Sequence, residues 1–331
     1  SGGGVLYSEA EKELSKFAKK HNIPVTPTVM GIGCMDRDDP YYIGAIGCLG
    51  EGSSNSLSKD TDMALAVGTK LGDFTTGSWT NFHNPEFQLV SINTARFDVT
   101  KHRATAVISD AKIGLKQLSN ALDDWKAPDT WYQKSINERN EWNAYVEKKS
   151  GPTNQELPSY AHAVGAVYRN ADPSDIVVTA AGGLVGEVVQ IWKPKQINTF
   201  ETEWGFSCMG YEISGALGIK MAKPDKDIIV FIGDGSYLLQ NSDIYSSVIY
   251  DKKLIIVVCD NSGHMVINRL QLAKGGKEYL CGLKTSRASN FVEVDFAAHA
   301  KSMGAESETV TSTLELEVAF KRAKESKKTY V

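Results

Sequence analysis

Asp227-Ile228-Ile229-Val230-Phe231-Ile232-Gly233-Asp234-Gly235-Ser236 is the stretch on which the fold turns. Its unbroken run of apolar, mostly β-branched residues suits a central parallel strand buried on both faces. The run then stops on Gly-Asp-Gly. Two neighbours repeat the pattern. Residues 176–180 run into Ala181-Gly182-Gly183-Leu184, and residues 254–259 run into Asp260-Asn261-Ser262-Gly263. Helical spacing predicts helices between these strands at 210–222 and 239–251, with another at 158–170 ahead of them. Residues 295–303, 305–310 and 313–326 continue the alternation. Strands alternating with helices predict an α/β fold, a doubly wound parallel sheet covered on both faces.

The upstream half reads the same way. Leu6, Ala10, Leu14, Phe17 and Ala18 recur at helical spacing and predict a helix over 5–21, followed by a short strand at 23–25. Strands are expected at 63–67, 89–92 and 104–109. Asp110 then caps a helix to about residue 122. This predicts a second doubly wound domain over 1–125. Residues 123–157 are polar, carry Trp125, Trp131 and Trp142, and end in Gly151-Pro152-Thr153-Asn154. They predict a connecting helix and a boundary, with a linker at 126–156 and the other domain at 157–331.

The 331 residues are too many for one ordinary core, which agrees with two domains. A net charge of -4 offers no electrostatic case for nucleic acid or an anionic membrane. Charged residues interrupt every apolar run well before the roughly 18 residues a membrane span needs. The expectation is a cytoplasmic protein without nucleic-acid or membrane partners. Five scattered cysteines without a CxxC pair argue for free thiols, against both a zinc site and a disulfide framework. The start on Ser1-Gly2-Gly3-Gly4 without methionine, and the end on Thr329-Tyr330-Val331, which reads as a strand cut short, predict a piece of a longer polypeptide.

In a doubly wound sheet, ligands bind beyond the carboxyl ends of the strands. Gly182 and Gly183 let the backbone approach an anion, and the helix that follows offers free N–H groups. Glycine pairs after strands are also common plain turns. Asp234, set between glycines after a buried strand, has no obvious packing role and suits a divalent cation, although an N-cap would explain it too. Asn261 offers a neutral oxygen, and Gly263 lets the chain turn a main-chain carbonyl toward the same ion. Asp-Asn-Ser-Gly is equally a good turn. The combination decides: Gly-Asp-Gly, a helix and a strand, then Asn in the adjacent loop, where neighbouring βα units bring both loops together.

Here the chain resembles the thiamine-diphosphate enzymes, whose cofactor motif is Gly-Asp-Gly followed at this distance by Asn. The resemblance implies thiamine diphosphate and Mg²⁺ as cofactors. It makes Asp234, Asn261 and the carbonyl of Gly263 the metal ligands, and Gly235, Ser236, Gly182, Gly183 and Leu184 diphosphate contacts. Around Trp204-Gly205-Phe206-Ser207-Cys208-Met209-Gly210, it makes Met209 the prop of the thiazolium and places main-chain groups near Ser207 and Met209 on the pyrimidine edge. His264 and Met265 complete the expected cofactor contacts. The two domains are then the middle and diphosphate-binding domains of such an enzyme. The activating glutamate belongs to an N-terminal pyrimidine domain absent from this sequence, so no catalytic residue is assigned. Cofactor binding between chains implies a homo-oligomer, a dimer or tetramer.

Residues 1–8, Gly72-Asp73-Phe74-Thr75-Thr76, residues 178–184 and Ile267-Asn268-Arg269-Leu270-Gln271 resemble the trihydroxycyclohexane-1,2-dione hydrolase family of inositol breakdown. That resemblance implies hydrolysis of a C–C bond in a polyhydroxylated cyclic diketone, giving 5-deoxy-glucuronate, with the cofactor as electron sink. Met30-Gly31-Ile32-Gly33 lacks the Lys expected in that turn, and His264-Met265-Val266 and Ala273-Lys274-Gly275-Gly276 also depart from the pattern. An acetohydroxyacid-synthase-like carboligase, some of which hold FAD on the middle domain, stays open as an alternative. So does a non-catalytic half-chain that binds a partner. A dinucleotide-binding Rossmann protein is excluded, because no GxGxxG follows the first strand of either domain.

Overall fold

The computed structural model describes residues 1–284 and 290–331. The chain divides into two compact units, residues 1–148 with 193–200 and residues 149–192 with 201–331.

In the first unit, α1 (Gly3–Tyr7), α2 (Glu11–His21) and α3 (Gly52–Asp60) precede β1 (Met63–Val67). There follow α4 (Asp73–Thr76), β2 (Gln88–Asn93), α5 (Arg96–Val99), β3 (Thr105–Ile108) and α6 (Ala111–Leu122). The strands are parallel in the order β1-β2-β3. The Asp110 carboxylate accepts from the N–H groups of Lys112 and Ile113 at 2.9 and 3.2 Å, the expected cap of α6. Phe17, Ala18, Val67, Ile92, Ala111 and Leu115 close the core between α2, α6 and the sheet. The polar stretch forms α7 (Asp129–Ser150), a 22-residue helix. It is tied to this unit by Arg139, which donates to the carbonyls of Asp39 and Tyr42 at 2.7 and 3.1 Å.

Three local expectations are corrected here. The helix predicted over 5–21 is two helices, broken where Glu9 takes φ 50°. Backbone contact forces the break: the N–H of Gly4 donates to Gly68 O at 2.9 Å, pinning α1 to the turn after β1. Residues 23–25 form no strand, only a bridge between Val25 and Tyr42. β3 pairs with β2, yet all four of its residues are exposed, so the sheet is not covered at that edge.

The second unit contains α8 (Tyr160–Asn170), β4 (Ile176–Thr179), α9 (Leu184–Ile191), β5 (Phe200–Thr202), α10 (Tyr211–Ala222) and β6 (Ile228–Gly233). It continues with α11 (Asp234–Leu239), α12 (Asp243–Ile249), β7 (Ile255–Cys259), α13 (Met265–Ala273), α14 (Phe296–Ser302) and α15 (Thr313–Glu325). Ser159 caps α8 with a reciprocal pair of hydrogen bonds to His162. The sheet order is β5-β4-β6-β7, with β4, β6 and β7 parallel. Ile176, Val178, Ile228, Val230 and Ile232 pack with Ile213 and Leu217 of α10, Tyr237 and Ile244. Cutting one of these isoleucines to alanine is expected to cost about 2–5 kcal/mol. Because β5 lies on one side of β4 and β6 on the other, the strand order reverses between β4 and β6. The crevice beyond their carboxyl ends is where such a sheet receives ligands.

Four further details differ from the sequence reading. Gly233-Asp234-Gly235-Ser236 is not an open loop, since α11 begins at Asp234 with Gly233 as its N-cap. The helix predicted over 239–251 starts only at Asp243, because Gln240 is extended at φ −150° and separates α11 from α12. Residues 305–310 contribute one bridge, Glu306 to Tyr330, rather than a strand. Tyr330 in turn continues the sheet beside β7, donating to Leu254 O at 2.9 Å and accepting from the Ile256 N–H at 2.8 Å. Finally, β5 was not foreseen; three residues leave no periodicity to read.

Candidate cofactor and metal site

All the expected cofactor contacts lie in the second unit. At the end of β4, Gly182 takes φ 81°, and a Cβ placed on it would meet nothing of the described residues within 4 Å. Gly183 caps α9, whose first N–H groups face this open space. Leu184 is 2% exposed and its side chain belongs to the core, so it can offer a ligand only main-chain atoms. Gly233, ending β6, is open in the same way as Gly182.

Asp234 is buried at the start of α11, and its Oδ2 accepts from the Gly263 N–H at 2.7 Å. That bond draws the turn after β7 up to the end of β6, as adjacent βα units allow. Burial pushes the Asp234 carboxyl above its usual range; the N–H groups of Gly263 and Gly235 pull it down, and the neighbouring Asp260 adds to the rise. A cation would relieve both the burial and the repulsion. Gly263 is needed where it stands, since a Cβ there would lie 2.3 Å from Cys281 O.

Asn261 supplies the most telling atom. Its Nδ2 donates to the Tyr160 hydroxyl at 2.5 Å, while its buried Oδ1 has no hydrogen-bond partner among the described residues. The Tyr160 hydroxyl in turn donates to Cys259 O at 3.4 Å. With its proton spent there, Tyr160 can only accept from the amide, which fixes the amide orientation and leaves Oδ1 free. A buried unsatisfied oxygen costs on the order of 1–3 kcal/mol unless something binds it. Among the described residues no group of three His, Cys, Asp or Glu side chains could hold a metal. A cation here would depend on one carboxylate, one amide oxygen, a main-chain carbonyl and ligand phosphates, a donor set that suits Mg²⁺.

On the other side, Met209 is 38% exposed, and its methyl lies 3.4 Å from the Cβ position of Gly235. The His264 ring comes within 2.8 Å of the same point, so Met209, Gly235 and His264 are brought together. Ser207 sits in a left-handed turn at φ 53°. The Glu203 carboxylate holds that turn, accepting from the N–H groups of Phe206 and Cys208 at 2.8 and 2.7 Å. The methyl of Met265 packs on the Gly263 turn, 2.8 Å from its Cβ position.

Three residues escaped the sequence reading. Tyr160 lies too far along the chain for any local signal to link it to Asn261. Arg269 places its Nη2 3.8 Å from the Cβ position of Gly183, beside the open cradle. Glu212 is fully buried and accepts from Ala181 and Gly210 N–H at 3.2 and 2.8 Å. A carboxylate in the first turn of a largely apolar helix was the available signal for it.

Comparison with known proteins agrees with this geometry. The family model for the central domain of thiamine pyrophosphate enzymes matches residues 1–118, and that for their C-terminal TPP binding domain matches residues 180–331. Similar curated proteins carry the name 3D-(3,5/4)-trihydroxycyclohexane-1,2-dione hydrolase. That of Geobacillus thermodenitrificans is 34% identical over 96% of this chain and 54% of its own length. That of Lacticaseibacillus casei is 34% identical over 98% and 54%, and that of Clostridium tetani 32% identical over 98% and 55%. The chain thus spans about half the length of the curated relatives it matches. Among the described residues, no helix is long and apolar enough to cross a membrane.

Proposed function

The chain belongs to the thiamine pyrophosphate enzymes, and from that premise we propose that its second unit grips thiamine diphosphate through Mg²⁺. The observation that carries this reading is the buried Oδ1 of Asn261, without a hydrogen-bond partner among the described residues, beside the turn that Asp234 holds. Asp234, Asn261 Oδ1 and the Gly263 carbonyl would take the cation. The open glycines Gly182 and Gly233, with Gly183 and the first turn of α9, would receive the diphosphate. Met209 would support the ring end. Bound there, the cofactor would supply the electron sink that cleavage of a C–C bond beside a carbonyl requires.

For the whole protein, the reading is hydrolysis of a C–C bond in a polyhydroxylated cyclic 1,2-diketone. The names of the curated relatives support it, as does their similarity along nearly the whole of this chain. A homo-oligomer, in which another chain's pyrimidine domain completes the site, fits the same reading.

The test of the metal site is Asp234→Ala in the complete polypeptide. Calorimetry should show Mg²⁺-dependent thiamine-diphosphate binding weakened at least about a hundredfold, as for losing a paired, buried ligand. Undiminished affinity would sink the metal assignment. The test of the substrate is turnover of trihydroxycyclohexane-1,2-dione to an open-chain deoxy-uronic acid. Cofactor-loaded enzyme that performs carboligation but leaves the dione untouched would refute it.

A further inference from the structure

Glu212 stands at a junction that neither the motif nor the metal ligands explain. It is 0% exposed, and among the described residues no ion pair involves it. Besides its own N–H, its carboxylate has three donors, each on a different segment. Oε1 accepts from Ala181 in the loop after β4, and Oε2 from Gly210 ahead of α10. The Ser236 hydroxyl, in the first turn of α11 after β6, donates as well. Gly210 is itself constrained, at φ 94° with Gln240 Cβ only 2.4 Å from where its own Cβ would stand.

Burying a carboxylate without a cation is costly, and a side chain that merely filled this space would do so more cheaply as an apolar residue. What only a carboxylate supplies here is two acceptor oxygens, divided between N–H groups of two loops, with capacity left for a hydroxyl. We propose that Glu212 is a positioning residue, locking the two diphosphate-facing loops and the Met209–Gly210 turn into one rigid unit so that the cofactor's two ends are held in a single geometry. The inference rests on the cofactor reading. It also assigns Ser236 differently: its one hydroxyl proton points at Glu212, leaving its main-chain N–H for a phosphate.

The test compares Glu212→Gln with the unaltered complete polypeptide. Glutamine keeps the size but turns one acceptor into an NH₂ donor facing an N–H group. Three quantities are measured: melting temperature without ligand, and Mg²⁺-dependent affinity for thiamine diphosphate and for inorganic pyrophosphate. Pyrophosphate samples the diphosphate loops alone. The expected result is a melting temperature shifted by only a few degrees, since the loss of a buried charge and an N–H left unpaired oppose each other, with affinity for thiamine diphosphate lower by about tenfold. Affinity for pyrophosphate should fall by no more than about threefold, because the bond to Gly210 serves the ring end. Glu212→Asp, which keeps the charge but cannot reach both loops, should show the same split. Equal losses for both ligands, no loss, or a variant that fails to fold would overturn the inference. An unaltered protein that binds neither ligand with Mg²⁺ would overturn the cofactor reading and this inference with it.

Discussion

A glycine follows the first strand of each sheet, Gly68 directly after β1 and Gly182 three residues beyond β4, and the two behave in opposite ways. After β1, Gly68 takes φ 60°, and a Cβ on it would lie 2.6 Å from Gly4 Cα. The gap beyond that strand is filled by the chain's own backbone, with the Gly2 N–H on Val67 O and the Gly4 N–H on Gly68 O, both at 2.9 Å. After β4 and β6, Gly182 and Gly233 face open space. The same residue type near a strand end is a packing device in one unit and faces open space, the proposed cradle, in the other. A glycine after a strand therefore says only that something comes close; the structure says whether that something is already there.

The contrast breaks most sharply under substitution. Gly68→Val demands a left-handed β-branched residue pressed into backbone, and should cost about 3 kcal/mol or more in denaturant unfolding. A well-folded variant of undiminished stability would show that Gly68 is not the filled counterpart of the cradle.

Gly233→Val tests the other side. Its φ of −80° is ordinary for valine and its Cβ meets nothing, so stability should move by less than about 1 kcal/mol. The side chain would nevertheless fill the space proposed for a phosphate, so pyrophosphate affinity with Mg²⁺ should fall by about a hundredfold. Equal affinity in a folded variant would mean that the anion sits elsewhere.

This split also marks what could be read in advance. The strands at 63–67, 176–180, 227–232 and 254–259 were legible because uninterrupted apolar runs leave little choice of structure. The convergence of Asp234 with the turn that carries Asn261 and Gly263 was legible because their spacing mirrors the spacing of adjacent βα loops. Open and filled glycines were not distinguishable, since Gly68 is filled by residues more than 60 positions away. Glu9, which divides the first helix, and Gln240, which delays α12, obey tertiary contacts rather than local propensity. Tyr160 meets Asn261 across 101 positions and Glu212 meets Ala181 across 31, and neither carries a motif of its own.

Tyr160 sharpens the comparison within the second unit, where one oxygen is held open by design of its neighbours. In Tyr160→Phe the Asn261 amide loses the group that orients it and can rotate toward other donors. Mg²⁺ affinity, measured by titration in the presence of pyrophosphate, should fall by about tenfold, in line with loss of a group that orients a metal ligand. Stability should change by no more than about 1–2 kcal/mol, since one half-buried hydrogen-bond pair is removed. Unaltered metal affinity would remove Tyr160 from the site and weaken the case that Asn261 Oδ1 is a ligand.

Arg269 gives the smallest effect and the finest distinction between cradle and turn. It is exposed, and α13 presents it together with Val266 at the same face of Gly183, each 3.8 Å from that residue's Cβ position. The positive charge also holds down the Tyr160 hydroxyl pKa that burial and nearby acidic groups raise, which places it within electrostatic reach of the metal turn. An exposed guanidinium adds modestly to anion binding and is screened by salt. Arg269→Gln should therefore lower pyrophosphate affinity about threefold at low ionic strength, with the difference shrinking as salt is added. A loss that persists unchanged at high salt would mean that Arg269 shapes the Gly183 turn by packing, and the cradle would then owe its affinity for anions to the backbone of α9 and the cation alone.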